Sequence, residues 1–450
     1  MNNNRNKYKN IAVLGGGESG TGAALLASKH GINVFVSDAG KIKPNFKETL
    51  IRHKISFEED GHQLSRILDA DLIIKSPGIP DTANIIAQTA MIPKISEIEF
   101  ASWFTDAKLI GITGSNGKTT TTLLTGYLLS KGGINVCVAG NVGKSFAGQL
   151  AESDHDIFVL ELSSFQLDGT IDFKVDIAVI TNITPDHLDR YQYDFNKYAQ
   201  SKMRITLNQD SNDALVYCAD DPETVNQIEL HQPLAKKYPF SLHPIAGNDG
   251  AFVQNEKIYF NIQNNNTTMT LEELALQGKH NTYNSLAAGV SAKLLHIRGE
   301  TLKQCLSDYQ NIAHRLEFVA NVHGVSYFND SKATNVNSTW YALESFDRPI
   351  IWIAGGIDKG NDYTSLIPLI KKKVKAIICM GADNTKLHQV FAEHVEIITD
   401  VSSAEQAVAV ASFLAAKNDI VLLSPSCASF DLFENFEMRG NRFKAAVKRL

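Results

Sequence analysis

The chain has 450 residues, with 43 Lys and Arg against 49 Asp and Glu and a formal net charge of −6, which argues for two to four domains and removes the electrostatic case for nucleic acid or an anionic membrane. Five scattered cysteines without C-x-x-C spacing argue against a disulfide framework or a structural zinc and fit free thiols in a reducing compartment. No stretch approaches the roughly 18 apolar residues of a membrane span, the opening MNNNRNKYKN has no apolar signal core, and a cytoplasmic location is expected.

In chain order, a first block over about 1–96 alternates strand and helix signals: IAVLGGG, a helical stretch, INVFVSD, and later LIIKSPG. Short apolar runs separated by helical patterns predict a parallel sheet with crossovers. A second block, about 97–311, opens with KLIGITGSNGKT and continues with INVCVAG, IFVLELSS and IAVITNI, each ending in small or polar residues. In open α/β sheets, ligands bind at such carboxyl ends. Late in this block GAFVQNEKIYFNIQNNN reads as a hairpin, with the Asn run at 264–266 as a loop. The third block, about 312–450, restarts with VSYFNDS, IIWIAGG, VKAIICMG and IVLLSPS and predicts a second doubly wound sheet. Lys371, Lys372 and Lys373 read as a solvated helix end.

Two glycine loops carry the chemistry. Gly15, Gly17 and Gly20 fit G-x-G-x-x-G, and Asp38 ends the following strand at the distance of a ribose-binding acid. By itself this motif fits NAD(P), another nucleotide diphosphate, or a structural turn. The second loop runs Thr113-Gly114-Ser115-Asn116-Gly117-Lys118-Thr119-Thr120. It departs from the strict phosphate loop, because Ile112 stands where the first glycine belongs. The physics survives: consecutive N–H groups at a helix start face an anion, Lys118 reaches β- and γ-phosphates, and the Thr119 hydroxyl can join a Mg²⁺ shell.

Three further residues follow apolar strands or sit on a helix. Glu161 ends a buried strand in VLELSSFQL, where a carboxylate is costly unless it is ion-paired or binds metal. His187 lies in the loop TNITPDHLDRY, either at a site or as a structural histidine. Lys202, in YAQSKMRI, reads by pattern alone as a surface lysine.

Together TGSNGKTTT, GNVG at 140–143, LELSSFQL, NITPDHLDRY, GKHNTYNSLAA at 278–288 and AHRLE at 313–317 resemble the Mur ligase family. These are ATP-dependent amide ligases that build the peptide of bacterial peptidoglycan. The motifs fall in the expected order over nearly the whole chain. NDSKATN at 329–335, GGIDKG at 355–360 and LSPSCASFDLFENFEMRG at 423–440 resemble the branch that adds D-glutamate. Other branches have His- or Tyr-centred sequences in place of Asp330-Ser331-Lys332, and the D-N-P-R signature of the diaminopimelate adder is absent.

The resemblance implies an α/β fold of three domains: a Rossmann-like UDP-binding domain (1–96), a central P-loop ATPase-like domain with a parallel sheet (97–311), and a Rossmann-like C-terminal domain (312–450). The first loop would then hold the diphosphate of UDP-N-acetylmuramoyl-L-alanine and the second ATP, with hinges near 96 and 311. Lys118, Lys202, His187 and Asn141 match catalytic positions. Thr119, Glu161, His187 and Lys202 match ligands of two Mg²⁺ ions, Lys202 as a carbamate. Because a hard cation prefers oxygen, His187 points to a second, distinct metal position. Gly114, Ser115, Asn116, Gly117 and Thr120 complete the nucleotide loop. Asn281 matches an adenine contact, Arg315 a phosphate contact and Asp330 a ribose contact. Lys332, Thr334, Lys359, Ser429 and Phe436 match the D-glutamate cradle; Ser37, Asp38, Ser76, Pro77 and Gly78 fall at the uridine end. The implied partners are UDP-N-acetylmuramoyl-L-alanine, D-glutamate and ATP, with no nucleic acid and a monomeric chain.

Three rivals are a folylpolyglutamate-type ligase, a dehydrogenase using the first loop, and a non-catalytic nucleotide sensor. Lys332 and Ser429 count against the first, the ATP loop against the second, and retention of Lys118, Glu161 and His187 against the third.

Overall fold

The run NIAVL forms the strand Asn10–Leu14, the middle of a five-stranded parallel sheet. Its last four residues are buried, as expected where helices cover both faces. From edge to edge the strands are Ser56–Glu58, Asn33–Ser37, Asn10–Leu14, Leu72–Lys75 and Lys94–Ile95. The order reverses at the middle strand, so the loop Gly15–Gly20 sits at the sheet's switch point. This is a computed structural model, and it describes every residue except 1, 2, 246, 248, 277 and 310–313. The expected boundary and hinge at 311, and the first residue of AHRLE, lie outside the described residues.

The second sheet has nine strands. Val136–Gly140, Ile157–Glu161, Lys108–Thr113, Ile177–Ile180, Ala214–Cys218, Lys236–Ser241 and Gly250–Gln254 run parallel, in that spatial order. Lys257–Ile262 and Asn265–Thr270 then continue antiparallel. The Asn run is therefore not a loop. Only Gln263 and Asn264 turn, with φ of 50° and 63°, and Asn265 and Asn266 begin a strand paired with Ile262 and Asn261. Two residues at positive φ match the twist of a tight hairpin, a conformation Asn adopts cheaply.

The third sheet has six strands: Glu317–Val322, Val325–Asn329, Ile420–Leu423, Ile350–Ala354, Val374–Met380 and Ile397–Val401. All are parallel except the first pair. The three lysines do close a helix, Ile367–Lys373, with Lys371 and Lys372 exposed.

The chain packs as two compact units, 1–274 with 281–309 and 275–280 with 310–450. The first unit holds the first two sheets, joined by the helices Glu18–Lys29 and Phe146–Glu152. Gly22 allows this close approach, since a Cβ there would collide with the Ser145 hydroxyl. Two carboxylates complement the N-terminus of the second helix: Glu18 accepts from the Ser145 N–H at 2.9 Å, and Glu97 accepts from that of Ala147. The hinge expected near 96 thus falls inside a packed joint, where Ser96 caps the helix Glu97–Ser102 and Glu97 is only 2% exposed.

Candidate active site

Strand register assembles the site at the carboxyl end of the second sheet. Ile112 is level with Glu161 on one neighbour, Gly140 is level with Glu161 on the next, and Thr113 is level with Ile180 on the other side. Gly114, Asn141, Glu161 and the Thr181-Asn182 pair therefore emerge together.

The loop's shape depends on two glycines at positive φ. Gly114 has φ 145° and would place a Cβ on the Thr181 hydroxyl; Gly117 has φ 84° and would place one on the Asn284 amide oxygen. The loop is laced down on both sides. Asn116 N–H donates to Asn182 Oδ1 at 2.9 Å, and the Asn116 carbonyl accepts from Thr181 Oγ1 at 2.6 Å. Ser115 Oγ donates to the Thr184 carbonyl at 2.7 Å and meets the Tyr198 hydroxyl at 2.9 Å. Gly117 caps the helix Lys118–Lys131, whose Thr119 and Thr120 are buried.

Two lysines converge on one carbonyl oxygen. Lys118 Nζ donates to the Gly114 carbonyl at 2.7 Å and to that of Ser115 at 2.9 Å. Lys202 Nζ donates to the same Gly114 oxygen at 2.8 Å and lies 4.5 Å from the centre of the Tyr198 ring. Lys202 is 1% exposed, so the surface position read from its pattern is wrong. Its helix, Phe195–Met203, turns that residue inward against the loop. Burial first, and the neighbouring Lys118 charge second, hold its amine well below the usual lysine range.

Glu161 is 3% exposed. Its Oε1 accepts from Asn141 Nδ2 at 2.8 Å, while Oε2 is buried with no hydrogen-bond partner among the described residues. A buried carboxylate oxygen left open in this way fits a cation. His187 stands at φ 51°, with its ring edge-on to Phe165 at 5.3 Å and its Nε2 3.8 Å from Asp186. The structure thus places Lys118 and Thr119 at a helix start, Asn141 and His187 in loops and Glu161 at a strand end along one sheet edge, with Lys202 reaching the Gly114 carbonyl from the last turn of its helix. Asn281 lies one turn from Asn284, which accepts from Thr121 Oγ1 at 3.2 Å.

At the first loop, Gly15 has φ 95° and packs its Cα against Ser76. Asp38 holds the loop, accepting from Gly16 N–H at 2.7 Å and Gly40 N–H at 2.8 Å. The Ser37 hydroxyl donates to Glu58 at 2.6 Å and meets His62 at 2.6 Å. Arg190, from the loop that carries His187, reaches the first domain and donates to the Pro77 carbonyl at 3.2 Å while lying over the Phe165 ring. A cleft of about 810 Å³ opens beside this contact, lined by Lys75, Asp168, Arg190, Tyr191 and Arg204 but not by the glycine loop.

In the second unit, Asp330 is 3% exposed, accepting from Leu316 N–H at 3.1 Å and from Ser424 Oγ at 2.9 Å. Burial pushes its carboxyl up to about 6, against the pull of Arg315. Lys332 Nζ sits 5.4 Å from the Phe436 ring centre. Ser429 is buried, and Thr334 N–H donates to the Lys332 carbonyl at 2.9 Å. Lys359 is half-buried, on the loop after Gly356.

Sequence reasoning passed over Arg439, which is 1% exposed and ties these loops together. Its guanidinium donates to Ser331 Oγ at 3.0 Å, to the Ser331 carbonyl at 2.8 Å and to the Cys427 carbonyl at 3.2 Å. It also passed over Asn182 and Asn284. Asn182 had a usable signal, standing directly after an apolar strand; Arg439 and Asn284 look like ordinary helical polar residues.

Three family descriptions match consecutive parts of the chain: the MurD N-terminal domain over residues 10–85, the Mur ligase middle domain over 112–292, and the Mur ligase glutamate ligase domain over 314–427. The chain is 52% identical to the UDP-N-acetylmuramoylalanine–D-glutamate ligase of Christiangramia forsetii, over 98% of this chain and 100% of that protein. It is 51% identical to the protein of the same name from Porphyromonas gingivalis, over 99% and 100%. Among solved structures, the MurF ligase of Thermotoga maritima in complex with ADP aligns with a TM-score of 0.62 at 15% identity, covering 93% of this chain and 95% of that one. The UDP-N-acetylmuramate-alanine ligase of the same organism aligns with a TM-score of 0.62 at 16% identity, covering 98% and 99%; both likenesses concern the fold. Half-identity over the full length of these relatives, with three family descriptions matched in order along the chain, means that the chain belongs to the Mur ligase family.

Proposed function

We propose that the chain is an ATP-dependent ligase that joins D-glutamate to UDP-N-acetylmuramoyl-L-alanine through an acyl phosphate, releasing ADP and phosphate, in the cytoplasmic synthesis of peptidoglycan precursor. The observation that carries the ligase chemistry is the pair of lysines on the Gly114 carbonyl. Two ammonium groups on one oxygen, one of them fully buried, is a costly arrangement. It is relieved if the Lys202 amine, already disposed to lose its proton, adds CO₂ to give a carbamate and a released proton. The like-charged pair then becomes an attractive one, and the site gains a carboxylate-like group, one negative charge shared over two oxygens, beside the nucleotide loop.

Magnesium, held by Thr119, Glu161, His187 and carbamylated Lys202, would neutralise phosphate charge as the γ-phosphoryl group is transferred. The chain's own groups do the rest. The N–H groups of Gly117 to Thr120 cradle the phosphates at a helix start. Lys118 leaves its loop carbonyls for the transferring phosphate. Asn141, already fixed to Glu161, orients the acceptor carboxylate. Asn281, Arg315 and Asp330 hold adenine, phosphate and ribose. Ser37, Asp38 and the Ser76–Gly78 loop take the uridine end. In the third domain Lys332, Lys359, Thr334 and Ser429 suit an amino acid with two carboxylates, with Phe436 against its stem.

Phosphate release from ATP with Mg²⁺ and UDP-N-acetylmuramoyl-L-alanine tests this against D-glutamate, L-glutamate, L-lysine, diaminopimelate and D-Ala-D-Ala. Release that requires both the UDP-substrate and D-glutamate is expected. Release with another amine would keep the ligase and sink the third-domain roles. No release with any amine, in bicarbonate-containing buffer, would sink the ligase.

A further inference from the structure

At the outer edge of the third sheet, Cys379 and Asp400 are register partners on the adjacent parallel strands Val374–Met380 and Ile397–Val401. Paired positions on neighbouring strands send their side chains to the same face. The helix Thr385–Phe391 brings His388 over that pair, with Nε2 3.0 Å from Asp400 Oδ1. One donor atom from each of Cys379, His388 and Asp400 lies within 4.8 Å of the other two. The Cys379 thiol is fully buried and makes no hydrogen bond among the described residues, yet its sulfur is turned into this cluster.

A supporting layer holds the group. Asn384, at the start of the helix, donates to Asp400 Oδ1 at 3.0 Å and to the Gly381 carbonyl at 3.1 Å. Its own Oδ1 is buried and unpartnered among the described residues. A cleft of about 720 Å³ opens on His388 and Asp400, with Asp383, Thr385 and Ser402 on its walls.

We propose that Cys379, His388 and Asp400 form a binding site for a divalent transition-metal ion of the zinc class, with an open position facing this cleft. One thiolate, one imidazole and one carboxylate are the donor set of a borderline ion with three protein ligands. Magnesium demands oxygen donors and is selected against by the sulfur, so this site and the nucleotide loop take different ions. A dication on the Cys379 sulfur would displace the thiol proton, so binding releases one proton. The sequence hides the site because its members, spaced as C-x8-H-x11-D, match no zinc motif; only strand register brings Asp400 beside Cys379. The ion would pin an edge strand, and it would do so under the loop that carries Lys359. Gly355 and Gly356 pack directly on Met380 and Gly381, and Lys386 on the cluster's helix lies 3.4 Å from Asp358.

The test uses the full chain, stripped with chelator and then held in excess Mg²⁺ to fill oxygen-rich sites. Zn²⁺ is titrated in competition with a chromophoric chelator, and Co²⁺ is followed by its thiolate charge-transfer absorption. One Zn²⁺ per chain is expected, weakened at least about tenfold in His388→Gln and in Asp400→Asn. The charge-transfer band should vanish in Cys379→Ser. His388 and Asp400 lie at the cleft surface, so their variants keep the test decisive if Cys379→Ser does not fold. Absence of Zn²⁺ binding in Mg²⁺, Zn²⁺ binding unchanged in both surface variants, or Co²⁺ binding without a thiolate band would each overturn the proposal and leave a buried thiol beside a surface His–Asp pair.

Discussion

At the loop Gly15–Gly20 a backbone N–H is already taken by a carboxylate, Asp38 on Gly16, whereas at Gly114–Lys118 two lysine side chains donate to one backbone carbonyl. Both loops follow a buried parallel strand and open a helix. An anion entering the first must share its cradle with an internal carboxylate. One entering the second meets the Lys118 ammonium and leaves a carboxylate oxygen of Glu161 free for a metal. The turn itself is generic. Side chains decide what it can do: Asp38 comes to the first loop from the next strand, and Lys202 and Glu161 join the second loop's own Lys118 from a helix and a neighbouring strand.

The largest break in this comparison should come from the second loop. Lys118→Ala is expected to lower kcat by about 10³-fold, because it removes the cation that accompanies the transferring phosphate; steady-state kinetics with intact secondary structure checks it. A loss under tenfold would mean that the loop binds nucleotide without serving chemistry.

Next is Lys202→Gln, which keeps a polar N–H one bond short of the lysine nitrogen but cannot add CO₂. A loss of about 10²-fold is expected, together with disappearance of bicarbonate dependence. The parent enzyme should lose activity in CO₂-depleted buffer and regain it with bicarbonate. Parent activity indifferent to CO₂ would defeat the carbamate and leave Lys202 as a structural donor to the Gly114 carbonyl.

The first loop should respond more gently. Asp38→Asn relaxes the grip on Gly16 and is expected to change KM for the UDP-substrate by about tenfold, with kcat within about twofold, as for a binding interaction common to ground and transition states. An equal fall in kcat would place the first loop in the chemistry after all.

The smallest effect concerns the joint between the two loops' domains. Burial pushes the Glu97 carboxyl up to about 7 from 4.5, with its Ala147 hydrogen bond opposing. A raised carboxyl stabilises the fold fully below its unfolded value and loses that contribution as pH rises through the folded one. Relative to Glu97→Gln, the parent should therefore lose stability between about pH 4.5 and 8, by on the order of 3 kcal/mol. Denaturant melts across that range measure it; a pH-independent difference would mean that Glu97 stays ionised in the joint.

Much of this was readable in the sequence because apolar strands ending in polar residues advertise sheet edges. Glu161, His187 and the threonine run follow from that pattern. Lys202 does not, since one lysine on a short helix carries no periodic signal, and only the fold turns it inward. The strands Ala214–Cys218, Ile397–Val401 and Glu317–Val322 were missed among equally apolar helices or in polar surroundings. The Asn265–Thr270 strand was hidden because its two opening asparagines look like a turn, and the partner that makes them a ladder lies three residues back. The loop-tying role of Arg439 could not be read at all, since it depends on backbone carbonyls contributed by two separate loops.

The brace between Thr121 and Asn284 spans 163 residues of chain. During synthesis the glycine loop emerges from the ribosome well before the helix Lys279–Leu294 that seats Gly117. Closing so long a segment carries an entropic cost that short-range pairing does not meet. A nascent chain can therefore build the strand and the turn early, yet it acquires a settled nucleotide cradle only when that late helix docks, which ties the ability to hold ATP to near-completion of the first compact unit.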